Sequence, residues 1–100
     1  MLGVLAVFLS VAVNLPFTVD GRVVRATPQP LRLHQGQVLG FRARYTRITV
    51  RRLECAGDTH RIALSKHRWQ VPDLPSGEYV IQTPQFAVEV VVHSHLAPCP

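Results

Sequence analysis

Acidic side chains are scarce in this chain: 6 Asp and Glu stand against 11 Lys and Arg, for a net charge of +5 at neutral pH. Lys66 is the one lysine, so the basic character is carried by arginine. That balance favours anionic surfaces as charged partners, although it speaks to solubility before function. Charged residues of both signs make up only 17% of the sequence and apolar residues 47%, which argues against disorder. Also missing is any convincing helical periodicity. With 100 residues, the chain is long enough for one domain and little more.

The signatures of common catalytic sites are missing as well. There is no Gly-x-Ser-x-Gly, no His-Glu-x-x-His and no glycine-rich phosphate loop. The six carboxylates, Asp20, Glu54, Asp58, Asp73, Glu78 and Glu89, fall mostly in turns or on outward-facing strand positions. The sequence therefore reads as a non-enzyme that needs no cofactor. Exposed aromatics interleaved with the basic residues, which single-stranded nucleic acids stack upon, are lacking too. Specific nucleic-acid binding is not expected.

What is present begins with an uncharged apolar start, "MLGVLAVFLSVAV". Leu2 to Leu9 suits the apolar core of a secretory signal, and Ser10 and Ala12 supply small residues before a cleavage point after Ala12. The expectation is a signal peptide over residues 1–12 and a mature domain over 13–100, secreted or held in the cell envelope. The alternatives that stay open are a retained membrane anchor, a buried β-strand of the mature domain, and a strand donated to a neighbouring subunit's sheet edge. In an oxidising compartment Cys55 and Cys99 can form one bridge. It would close a loop of about 45 residues and contribute roughly 4 kcal/mol.

Beyond Val13 the pattern is strand, turn, strand. Asp20-Gly21 between "FTV" and "RVV" is a compact hairpin signal. "ATPQPL" (Ala26 to Leu31) is a proline-punctuated bend. "FRARY" alternates Phe41, Ala43 and Tyr45 with Arg42 and Arg44, which predicts a strand with one buried and one wet face. Ile48 and Val50 continue the alternation, and a change of phase at Arg51-Arg52 predicts a bulge or a strand end. Ile62, Leu64 and Trp69 are expected inward, and Trp69 and Val71 make a short apolar pair. "FAVEVVV" places Phe86, Val88, Val90 and Val92 inward and Ala87, Glu89, Val91 and His93 outward. Seven or eight short strands of this kind predict an all-β fold, a small antiparallel β-sandwich.

"WQVPDLPSGEYVIQT" brakes hard before Tyr79, with Pro72, Pro75 and Gly77 in quick succession. The stretch resembles the late part of extracellular immunoglobulin-like and fibronectin-III-like domains. There a Leu-Pro-x-Gly-x-Tyr turn precedes the penultimate strand, and here Leu74, Pro75, Gly77 and Tyr79 match it. The resemblance implies an Ig-like sandwich used for adhesion, spacing or binding, and no catalytic residues. No second cysteine lies in the Tyr79 strand, so the antibody-type core disulfide is absent. Thr27-Pro28 and Gly77-Glu78-Tyr79 also resemble small periplasmic copper-binding sandwiches, but the methionine clusters of those proteins are reduced here to Met1.

Two sets of residues suggest binding chemistry. Arg42, Arg44 and Arg61 are expected to share one wet face, where guanidinium forks match phosphate, sulfate or carboxylate groups. A protein or an anionic surface polymer is the expected partner, with a membrane involved only if the N-terminal segment is retained. The other set is His93-Ser94-His95, whose imidazoles at i and i+2 of a strand suit copper or zinc.

Overall fold

The computed structural model describes residues 13–54 and 58–97, which form nine strands and no helix. The apolar residues 1–12 and both cysteines lie outside the described residues, and with them the signal-peptide and disulfide expectations. The strands are β1 (Asn14–Val19), β2 (Arg22–Arg25), β3 (Leu31–His34), β4 (Val38–Gly40), β5 (Arg47–Arg52), β6 (Thr59–Ala63), β7 (Arg68–Gln70), β8 (Gly77–Thr83) and β9 (Phe86–His93). A four-stranded sheet has the order β2-β1-β4-β7, and a five-stranded sheet the order β3-β9-β8-β5-β6.

One apolar cluster joins the inner faces of both sheets. Phe17, Leu39 and Trp69 enter it from the smaller sheet, and Leu33, Ile48, Val50, Tyr79, Ile81, Val90 and Val92 from the larger. Period-two alternation accounts for this, because residues i and i+2 of a strand share a face. β9 follows the expectation along its length: Val90 and Val92 are buried, while Ala87, Glu89 and His93 are exposed. Phe86 packs against Phe17, Phe41 and Tyr45 with ring centroids 5.4–6.4 Å apart.

Turn chemistry fixes the connections. Asp20 and Gly21 both have positive φ (51° and 79°) and join Val19 to its register partner Arg22, the backbone of a type I′ hairpin. Asp20 also clamps the hairpin to β4, accepting from the Val38 amide at 2.9 Å and donating its own amide to the Val38 carbonyl at 2.8 Å. Pro16 lies where the β1–β2 register slips, between Asn14 and Thr18, because proline has no amide to give the ladder. The bend at residues 26–30 carries the chain from the smaller sheet to β3 at the edge of the larger one.

The brake before Tyr79 is a docking point. Ser76 Oγ donates to the Ser94 carbonyl at 3.0 Å and accepts from the Ser94 amide at 3.1 Å. Ser94 Oγ in turn donates to the Leu74 carbonyl at 2.5 Å. The proline-rich loop is thereby tied to the segment that follows β9. Gly77 sits at φ 151°, where an added Cβ would also stand 3.3 Å from Glu54 Oε1.

Three expectations are corrected. "FRARY" is not a strand: the Tyr45 amide bonds the Arg42 carbonyl at 2.9 Å, closing a turn. Phe41 and Tyr45 are still buried, because a four-residue turn returns both ends to the same side, but Ala43 is exposed. The fold is not wholly antiparallel, since β3 runs parallel to β9 with Leu31 opposite Val90 and His34 opposite His93. The strand count is nine among the described residues and not seven or eight, because β4 and β7, three residues each, are too short to show a period.

Candidate anion-binding face

The outer face of the five-stranded sheet is set by register. On β5 the inward residues are Ile48, Val50 and Arg52, so Arg47, Thr49 and Arg51 face out. In the antiparallel β5–β6 pair Arg61 stands opposite Thr49. Arg47 and Arg51 are therefore its two diagonal neighbours, at the roughly 7–8 Å typical of such pairs. All three arginines are exposed. Among the described residues none of them has a carboxylate within salt-bridge distance. Gln82, opposite Thr49 on β8, adds an exposed amide to the same face.

Val80 shares this outer face, opposite Arg51 on one side and Glu89 on the other, yet it is only 8% exposed. Its burial fits a face whose long side chains lay their aliphatic stems along the sheet and keep their charged ends in water. Arg61 also stands at the rim of a cleft of about 420 Å³ between the open edges of β6 and β7, floored by Val50, Ile62, Trp69 and Leu74.

The arginine set expected from sequence is thus regrouped. Arg42 and Arg44 belong to the turn between β4 and β5 and not to a strand face. Arg44 lies over the ring of Tyr45, 5.0 Å from its centroid, a cation–π contact. Arg61 instead keeps company with Arg47 and Arg51, two arginines that extend the basic character of the same chain region. The signal that finds them is pairing register, which no single strand's sequence contains.

The histidines regroup too. β9 ends at His93, and His95 lies beyond it with Nε2 3.2 Å from Asp73 Oδ2. His93 instead faces His34 across the parallel β3–β9 pair, with ring centroids 5.7 Å apart and planes tilted by 32°. His34 is a residue that sequence reasoning missed, because nothing in the chain announces that β3 pairs with β9. Among the described residues no three His, Cys, Asp or Glu side chains gather as a metal cluster.

Of the ionisable groups, Tyr79 has a displaced pKa. Burial pushes its phenol above the usual value of 10.0; Arg52 opposes the rise, and Glu54 and Asp58 reinforce it. Arg52 is the register partner of Tyr79, only 8% exposed, and its Nε and Nη2 are buried with no hydrogen-bond partner. Compared with known protein families, curated proteins and solved structures, the chain matches none.

Proposed function

We propose that this chain is an exported, non-catalytic binding module that contacts an anionic polymer through the outer face of its five-stranded sheet. The observation that carries this reading is the placement of Arg61 between Arg47 and Arg51 on one exposed face, with no carboxylate partner among the described residues. Three guanidinium groups at this spacing offer forked donors to successive sulfate, phosphate or carboxylate groups along a chain. Before binding, their mutual repulsion is weak and largely screened at physiological salt.

An Ig-like sandwich is the fold we propose. Strand order supports it: β9-β8-β5-β6 in one sheet and β4-β7 in the other follow the G-F-C-C′ and B-E order of such domains. The Tyr79 hydroxyl bonded to the backbone of the preceding corner is a second supporting feature. Trp69 departs from the pattern, lying on β7 where antibody domains keep a tryptophan on strand C. Folds of this type host many functions, so the reading of function rests on the arginine face.

The test is heparin binding as a function of salt. The Arg47→Ser/Arg51→Ser/Arg61→Ser variant should lose most of the affinity and most of the salt dependence. A charge-matched control, Arg22→Ser/Arg25→Ser/Arg68→Ser, should lose little. Equal losses in the two variants refute a specific face and leave only a basic protein. N-terminal sequencing of the protein from its host tests export, with a start at Val13 as the expected result.

A further inference from the structure

We propose that His34 and His93 form a two-imidazole site for a borderline divalent transition ion of the copper, nickel and zinc class. The site is independent of the arginine face and differs from the His93–His95 pair that the sequence suggests. It bridges two strands that are distant in sequence, and it depends on the parallel pairing of β3 with β9.

The geometry is close to what chelation requires. His34 and His93 are direct register partners, so their side chains leave the same face of adjacent strands. A metal about 2.0–2.1 Å from one nitrogen of each ring sets the centroids roughly 4.5 Å apart at a right-angled N–M–N and about 5.2 Å apart at a tetrahedral one. The observed separation is 5.7 Å, which small rotations of two exposed side chains can close. Among the described residues neither imidazole is committed to a hydrogen bond or ion pair, unlike that of His95, which faces Asp73.

The surroundings select the class of ion. No carboxylate is grouped with the two histidines among the described residues, and Arg32 lies two residues before His34 on the same face. Hard cations such as Ca²⁺ and Mg²⁺ need several oxygen ligands and are repelled here. Imidazole-seeking ions tolerate the local positive charge because they bond to the ring nitrogen, and water completes their coordination. Among the described strands β3 lies at the sheet edge and pairs with β9 alone, so a bridging ion would also fasten that edge.

The experiment is titration calorimetry of the full, untagged chain with Ni(II), a probe that does not oxidise thiols. One ion should bind, and His34→Ala and His93→Ala should each weaken it at least ~10-fold, since either removes the intramolecular second contact. His95→Ala should leave the affinity unchanged. Both altered side chains are exposed, so the variants should keep the wild-type circular dichroism spectrum. As a second readout, saturating Ni(II) should raise the melting temperature of the wild type and not of the His34→Ala/His93→Ala double variant. An unchanged affinity in His34→Ala overturns the proposal, as does a loss in His95→Ala equal to that in His34→Ala. Equal uptake by the wild type and the double variant overturns it as well.

Discussion

The phenol of Tyr79 donates a 2.8 Å hydrogen bond to the carbonyl of Pro75, four residues earlier in the chain. The bond spans the corner at which the chain leaves the proline-rich loop and enters β8. It satisfies the one polar atom of a side chain that is otherwise 1% exposed. Tyr79→Phe keeps the ring and removes the donor. The expected cost is about 1 kcal/mol, read as a lower urea midpoint at unchanged slope. A variant as stable as the wild type would mean that the carbonyl is equally well served by water.

The same tyrosine predicts how stability responds to alkali. Its pKa is raised in the folded protein, chiefly by burial, so the folded state holds the phenolic proton more tightly than the unfolded state does. The contribution of this proton is fully present below the unfolded value near 10.0 and is lost as pH rises through the higher folded value. Stability measured by urea unfolding should therefore fall above about pH 10 in the wild type, and the fall should be shallower in Tyr79→Phe.

Trp69 tests the core. It is buried on β7, 8% exposed, and belongs to the cluster shared by the two sheets. Trp69→Ala should cost roughly 3–5 kcal/mol, because few side chains can collapse into an indole-sized gap. The native protein should show tryptophan emission at shorter wavelength than the unfolded chain.

Much of this architecture was legible in the sequence, and the exceptions share a cause. Alternation identified the inward residues of β5, β6 and β9, since burial on one face writes a period of two into the chain. The Asp20-Gly21 hairpin and the corner before Tyr79 were legible because glycine and proline mark turns chemically. The turn at residues 42–45 contains neither of them and happened to alternate, so it passed for a strand. The change of phase at Arg51-Arg52 reads as a bulge or a strand end, and β5 does end at Arg52, which keeps the inward parity of Ile48 and Val50. Pairing between strands not joined by a glycine-marked hairpin left no mark, and both candidate sites depend on such pairing. Arg61 meets Arg47 and Arg51, and His34 meets His93, only once β6 lies beside β5 and β3 beside β9.

A second turn escaped notice for lack of glycine, and it gives a stabilising prediction. Lys66 and His67 have φ of 51° and 61°, and they join Ser65 to its bridge partner Arg68. Holding a residue other than glycine in the left-handed region costs of order 1 kcal/mol or more. Asparagine adopts that conformation more readily, and the Lys66 side chain is exposed. Lys66→Asn should raise stability by about 0.5–1 kcal/mol, seen as a higher melting temperature. A loss of stability would show that the lysine contributes something its exposed position does not reveal.

Arg52 gives the prediction that runs against intuition. It points inward between the two sheets from the last position of β5, with Nε and Nη2 buried and, among the described residues, without a hydrogen-bond partner. Two buried guanidinium nitrogens without partners carry a desolvation cost that no hydrogen bond returns, so a hydrophobic side chain of similar length should be tolerated or preferred. Arg52→Met should leave stability unchanged or raise it by about 1–4 kcal/mol, whereas Arg52→Ala should destabilise by opening a cavity. A second readout separates charge from packing. Arg52 acts to lower the Tyr79 pKa against the effect of burial, so removing the guanidinium lets the phenol rise further. In a Tyr45→Phe background, leaving Tyr79 as the one tyrosine, phenolate absorbance near 295 nm should therefore appear at higher pH in Arg52→Met than in Arg52 protein. The alkaline loss of stability should extend to correspondingly higher pH. If Arg52→Met instead costs 2 kcal/mol or more and the phenol titrates unchanged, the guanidinium is held by ordered water at the end of the sandwich. Its burial would then be a source of stability and not a burden.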